Sequence, residues 1–142
     1  MSATPESAPT PSQSVEELAR FVNLPLRPAS VVWQRKVMGG NHVSDIPGPT
    51  DWMLTAVLLY NAEDADKVAA AASKIELGVP DQLEAQTWFP AELLQLAAPD
   101  AEPKMLAVQR FRPDDYRRAP LLNGSLTRVN KTNYFVLNLF TT

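Results

Sequence analysis

The chain has 142 residues, 45% of them apolar, with no cysteine and a single histidine, His42. That is enough for one domain with its own core, and it excludes a disulfide framework, a thiolate metal site, an iron–sulfur cluster, a cysteine nucleophile and a multi-histidine zinc site. The formal charge is −3, 20% of residues are charged, and 13 prolines stand against 5 glycines, so wholesale disorder is not expected and proline must be concentrated in particular segments.

Residues 1–14, MSATPESAPTPSQS, hold four Ser, two Thr and three Pro and read as a disordered tail ahead of a single domain over 15–142. The segment lacks a basic stretch followed by an apolar one, so an uncleaved secretory signal is not expected. A Ser/Thr/Pro tail is what remains when a signal or lipid-anchor segment is removed, and equally suits a cytoplasmic chain. The longest apolar run, WMLTAVLLY at 52–60, is about half of what spans a bilayer, so no transmembrane helix is expected.

SVEELARFV at 14–22 has Ser14 and Glu17 in capping-box spacing, with Leu18, Phe21 and Val22 on one face; it predicts a short amphipathic helix. Pro25 and Pro28 end it. VVWQRKVM at 31–38 predicts a strand with Val31, Trp33, Arg35 and Val37 on one face and Val32, Gln34, Lys36 and Met38 on the other. Residues 39–51, GGNHVSDIPGPTD, form a long glycine- and proline-rich loop around His42. In 52–60 both pleat faces are apolar, which marks a strand covered on both sides.

NAEDADKVAAAASKIELG at 61–78 is the clearest helix: Asn61 caps, Glu63 and Asp64 occupy the positive first turn, Lys74 lies near the end and Gly78 stops it. Ala65, Val68, Ala69, Ala72 and Ile75 make a stripe for packing on a sheet. QLEAQTWF at 82–89 is compatible with a short strand, and Pro90 opens a brief helix, PAELLQLA. MLAVQRF at 105–111 predicts a strand, and RPDDYRRAPLLNG at 112–124 a second long loop closing on the turn dipeptide Asn123-Gly124. SLTRV, the turn NKTN and YFVLNLFTT predict a terminal hairpin with Phe135, Leu137 and Leu139 on one face. No proline falls inside a predicted strand. The order predicts an α+β fold, an antiparallel sheet of about five strands with the helices packed on one face.

The mild net charge conceals a division. From Lys104 onward seven basic residues face two acidic ones, a local +5, while the preceding chain carries −8. Five of the seven are arginines, Arg110, Arg112, Arg117, Arg118 and Arg128, with Tyr116 among them, a composition suited to carboxylate or phosphate recognition. The plain alternative is internal pairing with Asp114, Asp115 and the acidic helix. The acidic whole argues against nucleic acid as a partner. His42, with Ser44 and Asp45 nearby, is the one imidazole base available, in a loop that would need ligand binding to order it. Neither common nucleotide fingerprint nor a calcium loop is present, so no cofactor or metal is expected. Asn123-Gly-Ser and Asn130-Lys-Thr match the glycosylation acceptor pattern but read as turns. Trp52, directly after the His42 loop, is the tryptophan best placed to anchor an interface.

These features lead to the expectation of a non-catalytic binding or accessory module, of a bacterial-type cell envelope if a signal segment has been removed. It would engage a protein partner through its long loops and an edge formed by Arg110, Arg112, Tyr116, Arg117, Arg118 and Arg128, with His42 and Trp52 beside it. The alternative is a small enzyme or ligand binder that holds an anionic substrate with the arginines and His42, which requires the 39–51 and 112–124 loops to meet at one end of the sheet. A third reading is a lipid-anchored or peripheral domain whose basic edge leans on anionic headgroups.

Overall fold

The computed structural model describes residues 11–37, 52–97, 103–119 and 121–141. In chain order the elements are α1 (Val15–Leu18), β1 (Ser30–Val37), β2 (Trp52–Leu59), α2 (Ala62–Ile75), β3 (Val79–Glu84), α3 (Ala91–Leu94), β4 (Met105–Phe111), β5 (Asn123–Val129) and β6 (Tyr134–Phe140). All six strands form one sheet in the order β1-β2-β6-β5-β4-β3, and every neighbouring pair is antiparallel. The hairpin β1–β2 and the meander β3–β6 are joined by α2, which carries the chain to the far edge so that β6 returns beside β2.

The local signals act as their chemistry requires. The Ser14 hydroxyl accepts from the Glu17 N–H at 3.1 Å, and Asn61 Oδ1 accepts from the Asp64 N–H at 2.8 Å. The first helix is shorter than its pattern suggests: it ends at Leu18, and Phe21 and Val22 reach the core through tight turns, both N–H groups bonding to the Leu18 carbonyl.

Strand alternation divides the sheet into two faces. The first carries Val31, Trp33, Leu54, Ala56, Leu58, Phe111, Leu126, Phe135, Leu137 and Leu139, packed with Val15, Leu18 and Val22 of the α1 region and Ala65, Val68 and Ala72 of α2. The second carries Val57, Leu106, Val108, Val129, Tyr134 and Val136, packed with Phe89, Leu93 and Ala97.

Several expectations are corrected. The sheet has six strands because Val79–Glu84 pairs with β4, earlier in the chain than the 82–89 stretch marked by its composition. That strand includes Pro80, which is tolerated because β3 is a sheet edge and an outward position needs no N–H. The helices do not share one face, since α3 supplies Leu93 to the second core. Asn123 and Gly124 are not a turn: they open β5, paired with Phe140 and Leu139. Residues 1–10 of the Ser/Thr/Pro stretch lie outside the described residues. Ser12, within that stretch, exchanges two backbone hydrogen bonds with Trp33 on the free edge of β1, at 2.7 and 2.9 Å.

Candidate functional site

The arginines anticipated as one edge are distributed over three places, each engaged within the chain. Arg110, on the second sheet face, pairs with Asp81 of the neighbouring strand at 2.6 Å. Arg128, on the first face, reaches Asp66 of α2 at 3.4 Å, donates to the Thr132 carbonyl at 3.0 Å and to Asn133 Oδ1 at 3.2 Å, and lies over the Phe135 ring. Arg112 and Arg117 share Asp114, at 3.2 and 3.7 Å, and Arg118 donates to the Ala19 carbonyl at 2.9 Å. Two of these pairs join the basic C-terminal third to the acidic part of the chain, so the charge division is in part cross-linked by folding.

Tyr116 is buried, and its hydroxyl lies 2.9 Å from that of Tyr60, which also donates to the Leu26 carbonyl at 3.3 Å. Burial pushes the Tyr60 phenol up to about 12, and burial together with the neighbouring Tyr60 hydroxyl pushes Tyr116 further up. Both hydroxyls therefore stay protonated and structural at neutral pH. Beside them Pro25, Leu26, Val68, Ala72 and Leu126 line a small apolar cavity of about 60 Å³.

Trp52 is half-buried. Phe21 meets its ring edge-on at 5.8 Å and the Arg35 guanidinium lies 5.4 Å from its centroid, so it packs within the first layer. His42 lies outside the described residues. The strand ends that flank its loop and those that flank the 112–122 loop are at one end of the sheet, because Met53 and Asn123 are both paired with Phe140. The 112–118 turn then folds onto the α1 side, where the Asn23 N–H bonds to the Tyr116 carbonyl at 3.0 Å.

A larger concavity lies on the second face, in residues the sequence patterns do not single out. Register places Gln34, Thr55, Asn138 and Ser125 in one row across β1, β2, β6 and β5. The adjacent row is Val32, Val57, Val136 and Thr127, so across β1, β2 and β6 three valines give way to three polar residues. Thr55 Oγ1 donates to Asn138 Oδ1 at 2.7 Å, which leaves the Asn138 Nδ2 donors as what that side chain offers a ligand. Opposite the row run Leu83, Glu84, Gln86, Trp88 and Phe89. Together with Lys36 and Met53 these two sides enclose a groove of about 240 Å³. Trp88 is half-buried and braced edge-on by Phe89, with centroids 5.0 Å apart. The sequence signal was present but weak: a polar residue near the middle of each of three strands, on the same face, recognisable only once the strands are aligned.

Comparison with protein families, curated proteins and solved structures returned no match. Among the described residues no helix is long and apolar enough to cross a membrane.

Proposed function

We propose that this chain is a non-catalytic binding module and that its ligand occupies the groove between the polar row of the second sheet face and the 83–89 segment. The observation that carries the reading is the row itself. A sheet face that only had to be covered would continue the valines of the neighbouring row, since each buried CH₂ contributes about 0.8 kcal/mol. Gln34, Thr55 and Asn138 forgo that gain in the middle of their strands, at the floor of a cavity. A concave site with a few convergent polar groups and aromatic walls has the general form of a ligand site.

The arginines support this placement less well. Each already makes at least one contact within the chain, to Asp66, Asp81, Asp114 or a backbone carbonyl. The Arg112–Arg118 turn is the competing surface for a protein or anionic partner.

A fragment library containing neutral, cationic and anionic compounds, screened by two-dimensional NMR on the full chain, distinguishes the two. Shifts gathered on the Gln34 and Asn138 side-chain amides, Thr55 and the Trp88 indole are expected. Hits that gather on Arg112, Arg117 and Arg118 instead would move the binding surface to that turn.

A further inference from the structure

The chemistry of the groove specifies a class of ligand more narrowly than its shape does. We infer that it is a saccharide site, built to hold one neutral sugar ring between Trp88 and the Gln34–Thr55–Asn138 row; the inference rests on the groove being the binding surface.

Charge is the first argument. The groove has one cation, Lys36, and one anion, Glu84, among its lining residues, and none of the chain's eight arginines borders it. A phosphate, a nucleic-acid backbone or another polyanion would meet no net positive field there, and the whole chain carries −3. A neutral ligand incurs no such penalty.

The second argument is the functional groups. Gln86 supplies an amide with two N–H donors and a carbonyl acceptor, Asn138 its Nδ2 donors, and Thr55 a hydroxyl oxygen that can accept, with the Gln34 amide beside them in the row. Neighbouring hydroxyls on a sugar are likewise donor and acceptor at once, so an amide can accept from one and donate to the next. A pyranose ring also has an apolar face of C–H bonds, and Trp88 supplies the matching surface, with an indole N–H at its edge as a further donor. With Thr55 already bonded to Asn138 Oδ1, the Nδ2 group of Asn138 is oriented before any ligand arrives, which reduces the ordering cost of binding.

Size and position are the third. At about 240 Å³ the groove is below the roughly 300–1,000 Å³ typical of sites for drug-sized ligands, and so suits a single ring and its substituents. An extended peptide would be recognised by main-chain pairing at a sheet edge, whereas this groove lies on a face. The β3 edge is also poorly suited to such pairing: Pro80 has no N–H, and the Gln82 N–H donates to Asp81 Oδ1 at 2.8 Å.

The test is titration of the full chain with methyl glycosides of glucose, galactose, mannose and N-acetylglucosamine, followed by NMR and tryptophan fluorescence. At least one glycoside is expected to bind saturably with a dissociation constant of about 1 mM, near −4 kcal/mol. It should shift the Trp88 indole and the Gln34 and Asn138 side-chain amides. Trp88→Ala and Asn138→Ala are expected to weaken binding at least about fivefold, each loss being on the order of 1 kcal/mol, while Trp88→Phe retains part of it. Melting curves and near-ultraviolet circular dichroism establish that each variant is folded, and Trp52→Phe serves as a control that leaves the groove intact.

Inorganic phosphate and lysine methyl ester are the charged probes. If either shifts the groove residues while no glycoside does, the saccharide inference is overturned and the groove stays the binding surface. If neither the glycosides nor the fragment library moves these residues, both readings fall.

Discussion

The hydroxyl of Tyr60, at the end of β2, lies 2.9 Å from that of Tyr116, in the turn after β4, and both side chains are buried. The Tyr60 hydroxyl also donates to the Leu26 carbonyl, so the proton between the two rings belongs to Tyr116. The pair thus joins β2, the 112–118 turn and the proline-rich lead-in to β1. The two tyrosines are not equivalent under substitution. Tyr116→Phe removes one donor and leaves Tyr60 bonded to Leu26, at a cost of about 1 kcal/mol. Tyr60→Phe leaves both the Tyr116 hydroxyl and the Leu26 carbonyl without their partner, at about 2–3 kcal/mol. Urea unfolding of the two variants should show Tyr60→Phe as the less stable; the opposite order would reverse the direction of the bond.

The same burial predicts sensitivity to alkali. An unfolded tyrosine ionises near 10, while folding pushes Tyr60 up to about 12 through desolvation, and Tyr134 up to about 12 through desolvation and its hydrogen bond to the Glu92 carboxylate. A phenol whose folded value is raised stabilises the protein fully below the unfolded value. That contribution is lost as pH rises from about 10 toward 12, and for Tyr60 amounts to about 3 kcal/mol. The unfolding free energy should therefore be insensitive to these groups through neutral pH and drop steeply across that window. Tyr60→Phe should flatten the drop. An unchanged slope would show that this tyrosine does not titrate with unfolding.

How much of this was legible in the sequence follows from the range of each signal. Asn61, Ser14 and the composition of 105–111 act within a few residues, and the structure has the caps and the strand where they point. The face assignments of β1 and β6 also agree, because pleating alone sets them. Edge strand β3 was blurred because its residues are almost all exposed and it contains a proline, so neither alternation nor β-propensity marks it. The arginines clustered in sequence but not in space, since Arg110 and Arg128 lie on opposite faces of the sheet. The groove was hidden for the converse reason: Gln34, Thr55 and Asn138 are far apart in sequence and meet only through antiparallel register.

Gly124 lies directly against the backbone of β6, and it tests the register that builds the groove. Its φ is +143°, and a Cβ at this position would lie 1.9 Å from the carbonyl oxygen of Asn138. Gly124→Ala must therefore both strain the backbone and push β5 away from the strand that carries Asn138. The expected cost is about 2–5 kcal/mol. The Asn138 and Thr55 resonances should shift as well, and a variant as stable as the parent would contradict the close approach of the two strands.

The arginines differ in what they contribute. Arg110 meets Asp81 at 2.6 Å, but both side chains are substantially exposed, at 51% and 39%. Solvent screening limits such a pair to under about 1 kcal/mol. Arg128 is 24% exposed and also holds the Thr132 carbonyl and Asn133 across the β5–β6 turn. Arg128→Ala should cost about 1–3 kcal/mol, and Arg128→Lys should recover little because a single ammonium cannot reproduce the fork. Parallel denaturation of Arg110→Ala and Arg128→Ala should separate the two. Equal losses would show that the turn does not depend on Arg128.

Residues 11–14 do structural work that their composition conceals. Ser12 covers the outer edge of β1 by exchanging two backbone bonds with Trp33, the Ser14 carbonyl accepts from the Trp33 indole N–H at 3.0 Å, and the Ser14 hydroxyl caps α1. A chain starting at residue 15 loses all of these, whereas one starting at residue 11 retains them. Losing a helix cap contributes about 1 kcal/mol, and leaving a buried indole donor without its acceptor about 1–3 kcal/mol, so the shorter chain should be less stable than the longer by about 2–4 kcal/mol. Its uncovered β1 edge should also raise its tendency to associate, which sedimentation would register. Ser14→Ala removes the cap but keeps the carbonyl, and should recover most of the difference. Two truncations with the same denaturation midpoint would show that β1 and α1 hold their places without this segment.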